Sequence, residues 1–233
     1  DSAAPIAMVR RSCGGNRESG AEECKVAEPV KPNLLIACGA LANEIVALQR
    51  LNGWGERLHV TCLPAIWHNT PDKIPEGVRR KIRAGRKKYD RIFVGYADCG
   101  TGGLLDEVLR EEGAERIAGP HCYQFYAGTD AFEKLMDEEL GSFFLTDYLA
   151  RHFDRLIWKG FGLDRHPDLK EMVFGNYKRL VFLAQIEDAG MKAKAEEIAQ
   201  RLGLAFEYRL TGYGELAQFM AEAAATQDFK KAG

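Results

Sequence analysis

The sequence predicts an α/β protein: a mostly parallel sheet with helices on both faces, open to a division into two lobes. Two observations carry this. Short apolar runs alternate with amphipathic stretches in repeated β–loop–α order, the pattern of parallel strands joined by crossover helices. Several of those runs also end in a cysteine, at Cys38, Cys62, Cys99 and Cys122. Ligands in such sheets bind outside the carboxyl ends of the strands, so these cysteines mark the expected working edge. A chain of 233 residues is long enough for one large α/β domain or two small lobes.

Residues 1–31 are rich in Ala, Gly, Ser, Glu and Pro without apolar periodicity and are expected to form a flexible tail carrying Cys13 and Cys24. A strand is predicted over 33–38, then a helix over about 41–51 with Leu41, Ile45, Leu48 and Leu51 at helical spacing. Asn52-Gly53 ends it, glycine being favoured just past a helix C-terminus. A strand over 57–62 and a loop over 63–71 lead to a helix over 73–87. Its apolar stripe is Ile74, Val78 and Ile82, and its basic run from Arg79 to Lys88 reads as a solvated face rather than a phosphate grip. A strand over 90–95, a helix over 103–112 and a strand over 115–119 follow, then helices near 129–139 and 144–157. The segment 158–177 holds a short helix over 169–174, and a lobe boundary is expected near 158–178. A strand over 180–183, a helix over 189–202, a strand over 204–210 and a helix over 213–224 close a domain spanning 32–225. Residues 226–233 form a second tail.

Composition excludes several classes. The net charge of -2 offers neither a nucleic acid nor a membrane surface the basic patch it needs. No apolar run approaches the ~20 residues that cross a bilayer. The first eight residues lack a basic start and an apolar core, so a cytoplasmic protein is expected.

Six cysteines in a reducing compartment need an account other than stable disulfides. A single one would be read as buried and inert. Four at equivalent strand ends, with His68 and His121 close in sequence to two of them, make metal binding competitive, although no C-x-x-C pair is present. Gly100-Thr101-Gly102-Gly103 before a helix offers a nest of backbone N–H groups to an anion, but is no nucleotide fingerprint. Tyr96, Tyr123, Phe125 and Tyr126 are either pocket walls or core. His152, Asp154, Asp164 and His166 are available for acid–base work, and His59 reads as structural.

The chain resembles the bacterial and archaeal family of domain of unknown function 1638. The resemblance rests on Ala37-Cys38-Gly39-Ala40-Leu41, Leu63-Pro64 with His68-Asn69 and Pro71, Cys99-Gly100 with Gly102, and Cys122 with Phe125 and Gly128. Gly141 with Phe144-Leu145-Thr146, and the run from Gly162 to Pro167, also fit. It spans about 33–220 and implies a companion of corrinoid-dependent methyltransferases. Carried over motif by motif, it selects Cys38, His68, Cys99 and Cys122 as metal ligands and leaves Cys62 and His121 outside its pattern. Such a set suits zinc, with an iron–sulfur cluster as the alternative. If one ligand is displaceable, thiolate-rich zinc holds a substrate sulfur deprotonated, the chemistry by which methyl groups move between a corrinoid and a thiol, and a folate is the other acceptor considered. Asp98 would orient a ligand, and Asp98 and His166 are the acid–base candidates. A non-enzymatic accessory protein binding a metal or corrinoid and a partner methyltransferase is the alternative. A metal-free two-cysteine racemase using Cys38 and Cys122 is a minor one, lacking the Asn-Thr and Thr-His that follow the cysteines in those enzymes.

Overall fold

The computed structural model describes residues 31–225, apart from 118, 120, 139 and 140. The two tails, but for Lys31, and with them Cys13 and Cys24, lie outside the described residues. Within them the α/β architecture is present as two parallel sheets.

The first sheet has the order β2-β1-β3-β4, from β1 (Asn33–Cys38), β2 (Leu58–Leu63), β3 (Ile92–Gly95) and β4 (Glu115–Arg116). Every side chain of β1 is buried, as expected of a central strand covered on both faces. Each fully buried leucine or isoleucine there contributes about 1.5–3 kcal/mol. Helices α1 (Ala42–Leu51), α2 (Lys73–Gly85) and α3 (Leu104–Glu112) cover this sheet. Ile74, Val78 and Ile82 of α2 are buried as their spacing predicts, whereas Leu51 of α1 is exposed. The basic face of α2 is not simply solvated. Arg79, Arg83 and Arg86 all reach Glu112 of α3, which is only 6% exposed, so these cations tie two helices together. Strand β4 pairs over two residues only, shorter than the predicted 115–119.

The chain then forms α4 (Cys122–Ala127) and α5 (Thr129–Glu138) and enters the second sheet, β5-β6-β7, of β5 (Ser142–Thr146), β6 (Arg179–Ala184) and β7 (Ala205–Leu210). Strand β5 takes the first three residues, 144–146, of the helix expected over 144–157, and the helical part begins at Asp147. Phe144 packs with Phe132, Val181 and Leu183 on one face, while Leu145 joins Phe182 and Leu180 on the other. A run buried on both faces has no polar face to reveal its period. Thr146 caps the short helix α6 (Asp147–Arg151) by accepting from the Leu149 N–H. A π-helical turn, Asp154–Trp158, follows, closed by Lys159 N–H to Asp154 C=O at 2.8 Å. Gly160 ends this turn tightly: a Cβ there would lie 2.1 Å from the Leu156 carbonyl oxygen.

Helices α7 (Leu169–Phe174) and α8 (Ala189–Leu202) pack on the second sheet, but the last helix, α9 (Gly214–Ala224), returns to the first. Leu216, Met220 and Ala223 join the core around β1, and the Asn33 amide donates to the Ala223 carbonyl at 2.8 Å. Among the described residues no helix is long and apolar enough to cross a membrane.

Candidate metal centre at the end of the first sheet

In the order β2-β1-β3-β4 the chain reverses its direction of travel across the sheet between β1 and β3. A crevice opens outside the carboxyl ends of strands at such a switch point. Cys38 ends β1 at its edge, and Cys99 follows β3 by four residues.

The Cys38 sulfur is buried and accepts from the Ala40 N–H at 3.3 Å, starting the single 3-10 turn Gly39–Leu41. A second 3-10 turn, Ala65–Asn69, carries His68 over the crevice, its Nδ1 3.7 Å from the Cys38 sulfur and 3.1 Å from the Ala65 carbonyl oxygen. With Nδ1 taken by these neighbours, Nε2 is the ring atom left to bind a ligand. The sulfurs of Cys99 and Cys122 meet at 3.2 Å. One donor atom each from His68, Cys99 and Cys122 lies within 4.8 Å of the others, making a compact trio that Cys38 adjoins through His68.

The local sequence explains how Cys99 and Cys122 are held. Cys99 has φ 52°, the one non-glycine residue with positive φ among the described residues. The Asp98 carboxylate braces this turn, accepting from the Thr101 hydroxyl at 2.7 Å and from the N–H groups of Gly103 and Gly102 at 2.9 and 3.3 Å. Asp98 thus accepts from the N–H groups of Gly102 and Gly103, two of the three glycines expected to face an external anion. Opposite, Arg116 donates to the carbonyls of Ile117 and Gly119 at 2.9 and 3.2 Å, and the Asp98 N–H also reaches the Gly119 carbonyl. These bonds fasten the segment leading to Cys122, which opens helix α4 rather than ending a strand.

The electrostatics reflect crowding. Contact with Cys99, then burial, push the Cys122 thiol well above its ordinary value. Burial alone would lower the His68 pKa, but the Cys122 and Cys38 sulfurs outweigh it and push it up to about 11. Tyr96 is fully buried, and its hydroxyl has no hydrogen-bond partner of good geometry. Burial, and then the charge of Cys38, keep it a neutral phenol.

The trio lies on the wall of a cavity of about 410 Å³. Tyr123 and Tyr126 line it, while Phe125 and Tyr96 are core. A further part of the lining, which the sequence did not reveal, comes from β5 and the turns that follow it: Phe143, Tyr148, Leu149, Ile157 and Phe161. Thr146-Asp147, a capping pair, was the available signal that a strand ended there. His121 lines the cavity, but His166 is exposed in the turn before α7 and does not. Cys62 is exposed and outside the trio. It pairs with Ala37 while Cys38 pairs with Leu63, so it faces the other side of the sheet from Cys38.

Comparison with curated proteins finds no match. The model of the family described as Protein of unknown function (DUF1638) matches residues 62–220, a span that contains His68, Cys99 and Cys122 and excludes Cys38. The chain therefore belongs to that family, with the compact trio inside the matched region.

Proposed function

We propose that Cys38, His68, Cys99 and Cys122 hold zinc, and that the protein works in methyl-group metabolism beside corrinoid-dependent methyltransferases, passing a methyl group to a thiol or folate acceptor. One observation carries this reading: three soft donors within 4.8 Å of one another on the wall of a small-molecule cavity. Sulfurs at tetrahedral zinc, each bound at ~2.3 Å, sit about 3.8 Å apart. The Cys99–Cys122 separation of 3.2 Å needs only a small adjustment to meet that spacing, and the Cys38 sulfur lies beside the His68 ring. The trio's compactness favours a single ion over an iron–sulfur cluster, whose cysteines are spread around several irons.

Bound there, zinc would supply Lewis acidity and positive charge that hold nearby sulfur as thiolate at neutral pH. The chain's own groups do the rest. The Ala65 carbonyl orients the His68 ring, and the Asp98 turn aims Cys99. A cytoplasmic setting would keep the thiols reduced. The complete burial of Cys38 speaks against the racemase reading, since an acid–base cysteine must touch its substrate.

Elemental analysis of protein purified without a metal-affinity tag should find about one zinc per chain, lost in Cys99→Ser and Cys122→Ser. A metal-free, fully folded protein would sink the proposal. A transferase should demethylate a methylated corrinoid with a thiol or folate acceptor unaided. An accessory protein would be inert alone yet retain a corrinoid or methyltransferase partner on a column.

A further inference from the structure

We infer that the cavity is the binding site of a small thiol with an uncharged, apolar body, aryl or branched alkyl, whose sulfur is set against His68, Cys99 and Cys122. This rests on the metal-site reading above and names the substrate class for it.

The lining divides by chemistry. Cys99, Cys122, His68 and His121 supply sulfur and imidazole, Asn69 and Thr146 are polar, and Phe143, Leu149, Ile157 and Phe161 are apolar. No Asp, Glu, Lys or Arg belongs to the lining. Arg155 approaches the Tyr148 hydroxyl but is not a lining residue. A ligand matching this division has one soft polar end and an apolar remainder. With His68 committed to the metal, a carboxylate, sulfonate, phosphate or ammonium on the remainder would enter a space whose lining offers it no Asp, Glu, Lys or Arg, and an unpaired charge taken out of water is costly. Thiols such as cysteine, homocysteine or mercaptoethanesulfonate are therefore disfavoured, although their sulfurs would suit the site equally well. The volume of about 410 Å³ is that of a small-molecule pocket, with room for a single ring or a branched chain.

The test uses cobalt-substituted protein, whose visible absorption reports a thiol arriving beside the cysteines, titrated with phenylmethanethiol, cysteine and mercaptoethanesulfonate. Phenylmethanethiol is expected to half-saturate at a concentration at least about tenfold below either charged thiol, a difference of ~1.4 kcal/mol. Phenylmethanol, of the same shape without the sulfur, should leave the spectrum unchanged. Ile157→Lys, at a half-buried wall position, should reverse the order by weakening phenylmethanethiol and strengthening mercaptoethanesulfonate. Phe161→Lys, at a more exposed position, makes the same test if the first variant fails to fold. Equal or tighter binding of the charged thiols would overturn the inference. Should the protein take up no metal, the reading of the metal site falls by itself. Calorimetry with metal-free His68→Gln protein, whose cavity lacks that ring's charge, then still decides whether phenylmethanethiol is preferred over mercaptoethanesulfonate, and no preference would end the inference too.

Discussion

Cys99 holds its thiol on a backbone conformation that glycine adopts freely and other residues adopt at a cost of about 1–2 kcal/mol. Cys99→Gly and Cys99→Ser should therefore part company. Both would lose the proposed metal, but metal-free Cys99→Gly should be more stable than metal-free wild type by about 1 kcal/mol in urea denaturation, while Cys99→Ser keeps the strain. A glycine variant no more stable than the serine variant would show that the turn is not strained. Asp98 next door makes a pH-dependent contribution. Burial raises its pKa, but the Gly103 N–H, the Thr101 hydroxyl and the Gly102 and Gly100 N–H groups outweigh that and leave it below the ordinary carboxylate value. A depressed folded-state pKa means stability that is complete above the unfolded value of about 3.9 and is lost as pH falls through the folded one. Asp98→Asn should flatten this acid limb of the stability curve, as read by melting at pH 2–5. A variant whose acid limb matches wild type would remove Asp98 from the loop's support.

Strand β5 and the turns after it show why some elements were legible in the sequence and others were not. α2 declares itself through Ile74, Val78 and Ile82 because its other face is charged, and β1 is bounded by Pro32 and Gly39. Strand β5 has apolar neighbours above and below, and the π-helical turn Asp154–Trp158 has no sequence period of its own. The metal candidates followed the same rule. Cys38 and Cys99 could be placed by strand order, which also picked Cys62 and put Cys122 at a strand end where it opens α4; the family motif added His68 and set Cys62 aside. The Phe143-to-Phe161 wall depends on how a second sheet meets the first, which no local pattern encodes. Phe182, fully buried in the middle strand of that sheet, tests the correction. Phe182→Ala should cost about 3–5 kcal/mol by denaturant melting, against under 0.5 for a surface position. A small loss would mean the second sheet is not packed as described. At the α2–α3 contact, Glu112→Gln should lower the melting temperature and remove its salt sensitivity, because three arginines lose one buried partner.

The meeting of the two sheets also buries acids. Glu44 of α1 and Asp147 of α6 are 4% and 2% exposed, and each keeps a carboxylate oxygen without a hydrogen-bond partner. Burial first, and their mutual repulsion as a lesser cause, raise the Glu44 pKa. Burial likewise raises that of Asp147. With folded values above the unfolded ones, the associated stability is complete below about pH 4 and is lost as pH rises through the folded values. Glu44→Gln should accordingly melt a few degrees higher than wild type at pH 7, with the gap closing towards pH 4. A gap independent of pH would show that Glu44 does not ionise there. The division of labour around the cavity reaches further. All four candidate donors come from residues 38–122, whereas the apolar wall comes from residues 143–161. A shift of the second sheet would change which molecules fit without altering the spacing of sulfur and imidazole. Mutations could likewise retune selectivity in one half of the chain while the chemistry of the other half stays as it was.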